Sequence, residues 1–347
     1  MTVVVTGATG LVGTQVCKVL VESGRSVVAA VRNEAQSPAG TEPRFARLDV
    51  PGSLVKAMSG GTSVIHCAAV YAYDESRQDE IEQVNVEGTR NVVRAAAEAG
   101  VPRVVVTSSS VTVGSSAGPV VRDESGRLGD EPVPAYFASK VRQERVAFET
   151  GAEYGVEVVV ACPTVVLGGP SRRLVPSNAI LLRYLLDPTR STYPGGCNVV
   201  SAGDVARGHV LLADVGVPGE RYLLGGENLS WRLLHATVAD LAGVPGPYAE
   251  VPSSVAVAVA AASEFVASRL GSEPLATRDE ALTIGRYYWY SHEKAAALGY
   301  SPGSARQAVA EALAWLLASD HLPRWVREGL QPMAEVRSAR RLVPRPL

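Results

Sequence analysis

The segment Tyr136-Phe137-Ala138-Ser139-Lys140 places a phenol and an ammonium four residues apart. On a helix these positions share a face, so both groups project into one site. A free tyrosine titrates near 10 and is a poor acid-base group at neutrality. A neighbouring ammonium is expected to stabilise the phenolate and lower that value, so that Tyr136 gives a proton to a carbonyl oxygen or takes one back. A third polar group is expected from Thr107-Ser108-Ser109-Ser110. A hydroxyl there would hydrogen-bond and polarise the substrate oxygen. Three consecutive serines leave open which one serves.

A second constellation lies at the N-terminus, in Thr6-Gly7-Ala8-Thr9-Gly10-Leu11-Val12-Gly13. It follows a β-branched run and opens an apolar-periodic stretch. Gly7 permits a tight turn, Gly10 lets a pyrophosphate approach the backbone, and Gly13 lets helix and sheet pack closely. The phosphates would then sit on the helix N-terminus, where free N–H groups and the dipole favour anions. The motif predicts a dinucleotide site with Gly7, Thr9, Gly10, Leu11, Val12 and Gly13 against the cofactor. At the end of the next strand an acidic residue would hold a ribose 2′-hydroxyl; Val31-Arg32-Asn33 stands there instead. Arg32 offers a guanidinium fork to a 2′-phosphate, so NADP(H) is expected in preference to NAD(H). Asp49-Val50 is placed to meet the adenine, with Asp49 doubling as a helix cap before Pro51.

The elements that must carry these residues alternate between two periods. Strands are expected at Thr2–Thr6, Ser26–Val31, Phe45–Leu48, Ser63–His66, Arg103–Thr107 and Val156–Ala161. Helices are expected at Leu11–Ser23, from about Gln78 to Ala99, and at Tyr136–Tyr154. This is a string of βαβ units, an α/β Rossmann doubly wound parallel sheet. Several strands are unbroken apolar runs, as befits strands buried on both faces. After Cys162 the pattern loosens into short helices between glycine, proline and asparagine clusters. The expected organisation is a nucleotide-binding domain over 1–165, to which segments around 197–225 return, and a smaller mixed substrate-binding region over 166–320. The basic, proline-containing stretch 324–347 reads as a frayed tail.

With 347 residues, 46% apolar and 20% charged, the chain has the composition of a soluble globular protein. A formal net charge of -2 gives no reason to expect nucleic acid or an anionic membrane as partner. Four scattered cysteines without a CxxC pair fit a reduced, cytoplasmic setting. Five scattered histidines offer no ligand spacing, so no metal is expected. No signal peptide is apparent. The Ala- and Ser-rich stretch Val251 to Leu270 is interrupted by Glu264 and reads as an amphipathic helix covering a pocket rather than a membrane span. His66 and Cys67, at a buried strand end, read as structural.

Together the glycine motif, the serine run, the YxxxK and Cys162-Pro163-Thr164 resemble the extended short-chain dehydrogenase/reductase family, over nearly the whole chain to about Leu317. Three further segments resemble its dihydroflavonol-4-reductase-like and hopanoid-associated sugar-epimerase-like branch: Asn85-Val86-Glu87-Gly88-Thr89-Arg90-Asn91, Asp204-Val205-Ala206-Arg207-Gly208-His209, and Gly219 through Asn228. The resemblance implies Ser109 as the catalytic hydroxyl, with Ser110 the alternative, Tyr136 as acid-base and Lys140 as partner and ribose ligand. It implies Ala68, Ala69, Thr107 and Pro163 along the cofactor, Asn85 as a support for Lys140, and a homodimer paired through the helices following Gln78 and Ala135. Val113 replaces the aromatic that many sugar-nucleotide epimerases carry before Gly114. The expected activity is an NADP(H)-dependent reduction of a ketone or aldehyde on a small, partly hydrophobic carbonyl or alcohol substrate. The alternative is an NAD-dependent sugar epimerase or dehydratase with the same triad.

Overall fold

The computed structural model describes residues 1–71, 77–129, 133–270 and 283–342. Its centre is a seven-stranded, fully parallel sheet made of β1 (Thr2–Thr6), β2 (Ser26–Val31), β3 (Glu42–Phe45), β4 (Ser63–His66), β5 (Arg103–Thr107), β6 (Glu157–Pro163) and a later β10 (Arg221–Leu224). The spatial order is β10-β6-β5-β4-β1-β2-β3. Parallel strands require crossovers, and right-handed crossovers put helices on both faces. On one face α1 (Leu11–Glu22) packs with α7 (Ala202–Val215). On the other lie α2 (Pro51–Met58), α4 (Gly88–Glu98) and α5 (Ala135–Tyr154). Val4, Val64, Val104 and Val158 point to this second face, while Val3, Val5, Ile65, Val105 and Val159 point to the first. Both faces are dry, which explains the unbroken apolar runs.

A second body follows. β7 (Val165–Leu167), β9 (Gly196–Ser201), β11 (Glu227–Ser230) and β13 (Tyr287–Tyr288) form a smaller mixed sheet. Its own core holds residues of α6 (Pro176–Leu186), α8 (Trp231–Ala242) and a helix over Ala305–Ala318. Two further short strands, β8 (Ser191–Thr192) and β12 (Ala249–Glu250), pair with each other. The chain returns to the large sheet through β10 at its edge, beside β6.

Four expectations change. The third strand is Glu42–Phe45, not Phe45–Leu48: its register sets Glu42 opposite Val28 and Phe45 opposite Val31. It is the sheet's outer edge, mostly exposed and carrying Pro43, which an edge tolerates because one side needs no donor. Such a strand carries no apolar signature. The helix from Gln78 is real, but it passes through α3 (Gln78–Ile81) and a π-helical turn, Glu82–Glu87, before α4. The helix α9 (Ser253–Leu270) leaves Val255, Val257, Val259, Phe265 and Val266 exposed and buries Ala260 and Ala267; its larger apolar side chains face outward, and small alanines face inward. No described helix is long and apolar enough to cross a membrane. The stretch read as a frayed tail forms helices over Arg324–Gly329 and Ala334–Leu342. Val336 is fully buried against the second core, and Gln331 and Met333 donate backbone bonds to Ala242 and Leu241.

Candidate active site

The loops following β1, β4 and β5 meet at the carboxyl edge of the large sheet. Gly7 turns with φ +66°, and a Cβ there would stand 2.5 Å from the Ala68 nitrogen. The glycine thus brings the first loop against the Cys67-Ala68 backbone. Ala68 is half-buried and Ala69 exposed beside it. Gly13 does pack closely, though against the turn rather than the sheet: its Cβ would fall 2.2 Å from the Gly7 carbonyl oxygen. Leu11 is buried and Val12 partly so against the core. The first turn of α1 therefore turns side chains inward and leaves backbone N–H groups at its open end.

That end fits an anionic group. Gly10 is the N-cap and supplies no side-chain bond, no acidic residue occupies the first turn, and Gly10 and the neighbouring Thr9 reach the surface. At the end of β2, Arg32 is exposed, and Glu80 feels its charge. Asp49 stands exposed beyond β3, the strand next to β2, and is held bidentately by Arg47 at 2.6 and 3.0 Å, which lowers its carboxyl's titration. It is not the helix cap: Val50 occupies that position with Pro51 following, and no side chain caps the helix.

The serine run diverges. Ser108 donates to Glu144 at 2.6 Å. Ser109 turns its hydroxyl toward the Tyr136 phenol and eases its titration downward. Ser110 lies on the Tyr290 phenol. Of the three hydroxyls, only Ser109 meets Tyr136. Lys140 lies on the same face of α5. Its Nζ donates to the Thr107 carbonyl at 3.0 Å and to Gln143 Oε1 at 2.7 Å, and it stands 5.7 Å from the centre of the Tyr136 ring. Tyr136, Ser109 and Lys140 are thus assembled from one helix and one strand end.

Their electrostatics differ from the expectation. Burial pushes Tyr136 well above its ordinary value, Tyr71 adds to the rise, and the Ser109 hydroxyl opposes it. Burial also drives Lys140 down to about 8, against the pull of Glu144, Cys162 and Cys67. The ammonium directs its protons at a carbonyl and an amide rather than at the phenolic oxygen, so it does not depress Tyr136. Asn85 does not touch Lys140 either. It accepts from the Val70 N–H at 2.8 Å, donates to the Val70 carbonyl at 3.0 Å and donates to Ser139 at 3.2 Å. It thereby fixes the chain just before Tyr71, whose ring lies 4.8 Å from that of Tyr136. Tyr71 has no spacing that links it to Tyr136; the clasp of Asn85 on Val70 helps to place it.

His66 and Cys67 hold the strand ends together. His66 bonds Thr6 at 2.6 Å and Thr89 at 3.0 Å, and burial takes its imidazole down to about 3. Burial raises the Cys67 thiol to about 11, leaving it inert at neutrality. Thr107 lends its hydroxyl to His209 of α7 at 2.9 Å and its carbonyl to Lys140. Pro163 closes β6 beside β10. Among the described residues, no cluster of His, Cys, Asp or Glu could hold a metal. An open cavity of about 580 Å³ lies away from these residues, between α5 and the 124–128 strap.

Over residues 3–225 the chain matches the model of the NAD dependent epimerase/dehydratase family. It is 31% identical over 325 residues to a putative dihydroflavonol 4-reductase of Synechocystis sp., covering 90% of this chain and 93% of that one. It is 26% identical over 324 residues to the 4-hydroxy-2-methyl-3-oxo-4-farnesyl-3,4-dihydroquinoline-1-oxide ketoreductase of Stigmatella aurantiaca, covering 89% and 94%. Among solved structures, gox2253 superposes with a TM-score of 0.80 at 31% identity, covering 93% of this chain and 99% of that one. MoeE5 in complex with UDP-glucose and NAD superposes with a TM-score of 0.70 at 25% identity, covering 91% and 98%.

Proposed function

The chain belongs to the NAD dependent epimerase/dehydratase family, the extended short-chain dehydrogenase/reductases, and we propose that within this group of oxidoreductases it is an NADP(H)-dependent carbonyl reductase. The observation that carries the reading is the contiguity of three loop ends: the glycine turn on Ala68, Cys67 on Thr107, and Thr107 on Lys140. A nucleotide seated on the N-terminus of α1 then reaches the Tyr136–Ser109 pair along one edge of the sheet. The Leu11 and Val12 N–H groups take the pyrophosphate beside Gly10, whose own N–H is held by the Gly7 carbonyl; Arg32 takes the 2′-phosphate, and Asp49 and Val50 flank the adenine. Ala68, Ala69, Thr107 and Pro163 line the way to Lys140, which takes the nicotinamide ribose.

Bound there, a reduced nicotinamide supplies hydride to a ketone or aldehyde carbon. Ser109 holds the carbonyl oxygen, and Tyr136 gives its proton to that oxygen. Burial keeps the phenol protonated at neutral pH, the state a donor must start from in the reducing direction, and the raised value makes it a weaker acid than an ordinary tyrosine. The relatives named as reductases support the direction, as does Arg32 in the place of an acidic ribose ligand. The substrate is a small, partly hydrophobic carbonyl compound. The enzyme works as a cytoplasmic homodimer through α3, α4 and α5.

Nicotinamide fluorescence titration tests the reading. Purified protein, free of nucleotide, is expected to bind NADPH at least tenfold more tightly than NADH, about 1.4 kcal/mol, and Arg32→Ala is expected to abolish that margin. Tyr136→Phe is expected to keep NADPH binding and to lose NADPH-dependent reduction across a panel of aryl and alkyl ketones. Protein that purifies already loaded with NAD overturns the reductase reading in favour of a sugar epimerase or dehydratase, the class whose ligands occupy MoeE5.

A further inference from the structure

The face of α5 that carries Tyr136 and Lys140 continues to Glu144, one further turn along at the same four-residue interval. These three side chains meet three consecutive residues of the β5 end: Lys140 on Thr107, Glu144 on Ser108 and Tyr136 on Ser109. Glu144 is buried. Its Oε1 accepts from Ser108 Oγ at 2.6 Å and Thr112 Oγ1 at 2.8 Å, with the Cys162 thiol at 3.6 Å. Its Oε2 accepts from Arg221 Nη1 of β10 at 3.2 Å. Arg221 is itself fixed, donating to the carbonyls of Glu124 and Gly126. The Thr112 hydroxyl also lies 2.9 Å from the carbonyl of Ser109.

Glu144 therefore holds the chain on both sides of Ser109, at Ser108 and at Thr112. A buried ion pair adds little stability over an apolar pair of equal volume, because desolvation offsets its attraction. Its retained value is geometric. Ser109 has an extended backbone, φ -158°, and begins the short 3-10 turn Ser110–Val113; its own Oγ accepts locally only from Val111 N, at 3.4 Å. Nothing in that turn by itself fixes the distance from Ser109 to α5.

We infer that Glu144, anchored by Arg221, is a positioning residue that sets where the Ser109 hydroxyl stands relative to the Tyr136 phenol. The inference rests on the reading of that pair as the site. Its mechanism is rigid placement: a misplacement of about 1 Å in a catalytic group costs up to 10²-fold in rate.

The test needs no substrate. The protein is labelled with ¹³C at tyrosine Cζ, and the Tyr136 resonance is identified by its loss in Tyr136→Phe. That resonance reports hydrogen bonding at the phenolic oxygen. Ser109→Ala is expected to shift it, and Glu144→Gln to shift it in the same direction. Ser109→Ala/Glu144→Gln is expected to shift it no further than Ser109→Ala alone, since Glu144 acts through Ser109. Thr112→Val, which keeps the Glu144–Arg221 ion pair and gives up the 3.5 Å contact of Arg221 with the Thr112 hydroxyl, is expected to give a smaller shift of the same sign and stands in if Glu144→Gln fails to fold. A resonance unmoved by both Glu144→Gln and Thr112→Val, yet moved by Ser109→Ala, overturns the positioning role and leaves the site intact. Additive shifts in the double variant overturn it as well. A resonance unmoved by Ser109→Ala refutes the Ser109–Tyr136 pair itself, and the inference falls with it.

Discussion

Replacing Lys140 with methionine removes a cation from the core and exposes what its burial costs. Lys140 titrates at about 8 in the folded protein against 10.5 for an ordinary lysine, driven down by desolvation. The folded value is the lower one, so the unfolded chain binds more protons between these two limits, and stability rises with pH there. The difference of about 2.5 units corresponds to about 3 kcal/mol. Below about pH 8 the folded protein carries that full penalty; above about 10.5 both states are neutral and it vanishes. Urea unfolding of wild type and Lys140→Met, measured side by side from pH 7 to 10.5, isolates this residue because the other titrating groups cancel in the difference. Wild type is expected to gain about 3 kcal/mol on the variant across that window. At pH 7 the variant also loses the bonds to Thr107 and Gln143, worth about 1.5–3 kcal/mol each for a charged donor, so the sign of the difference at one pH decides nothing and its slope decides everything. A flat difference refutes the desolvated lysine. A difference that falls with rising pH would mean that carboxylates such as Glu144 dominate its environment.

Gly7→Ala combines a left-handed φ with a Cβ 2.5 Å from backbone, and is expected to cost about 2–4 kcal/mol. Gly24→Ala, at φ +74° with nothing within 4 Å, isolates the conformational part at about 1–2 kcal/mol; equal losses of thermal midpoint in the two would contradict the close approach to Ala68. Val336→Ala is expected to lose about 2 kcal/mol in urea unfolding, whereas an unpacked tail predicts no measurable change. His235, stacked 4.7 Å from Tyr184 and bonded to Thr192, is driven by burial down to about 4 from 6.5. The unfolded chain therefore takes up its proton first, and stability falls as pH drops from about 6.5 towards 4. Relative to His235→Phe, wild type is expected to lose about 3 kcal/mol over that interval; parallel pH profiles would refute it.

The parallel sheet, the glycine turn and the YxxxK helix are legible in the chain itself because each is written in local spacing. Apolar runs of strand length alternate with helical periods, Gly7 supplies a conformation other residues resist, and a four-residue interval sets Tyr136 above Lys140. Elements whose signature is not apolar escape such a reading: the edge strand Glu42–Phe45 is polar and contains a proline, and the C-terminal helices bury single residues such as Val336. Relations between distant segments are decided only when the strand ends come into register. Three adjacent serines are equivalent along the chain, yet β5 points them at Glu144, Tyr136 and Tyr290 in turn. Asn85 is drawn to Val70 and Ser139 and not to Lys140. Burial, which no spacing encodes, reverses the expected influence on Tyr136: the ammonium meant to lower its titration directs its protons to Thr107 and Gln143, and desolvation raises the phenol instead. Local chemistry is carried by residue type and interval, whereas hydrogen-bond partners and desolvation are properties of the packed whole.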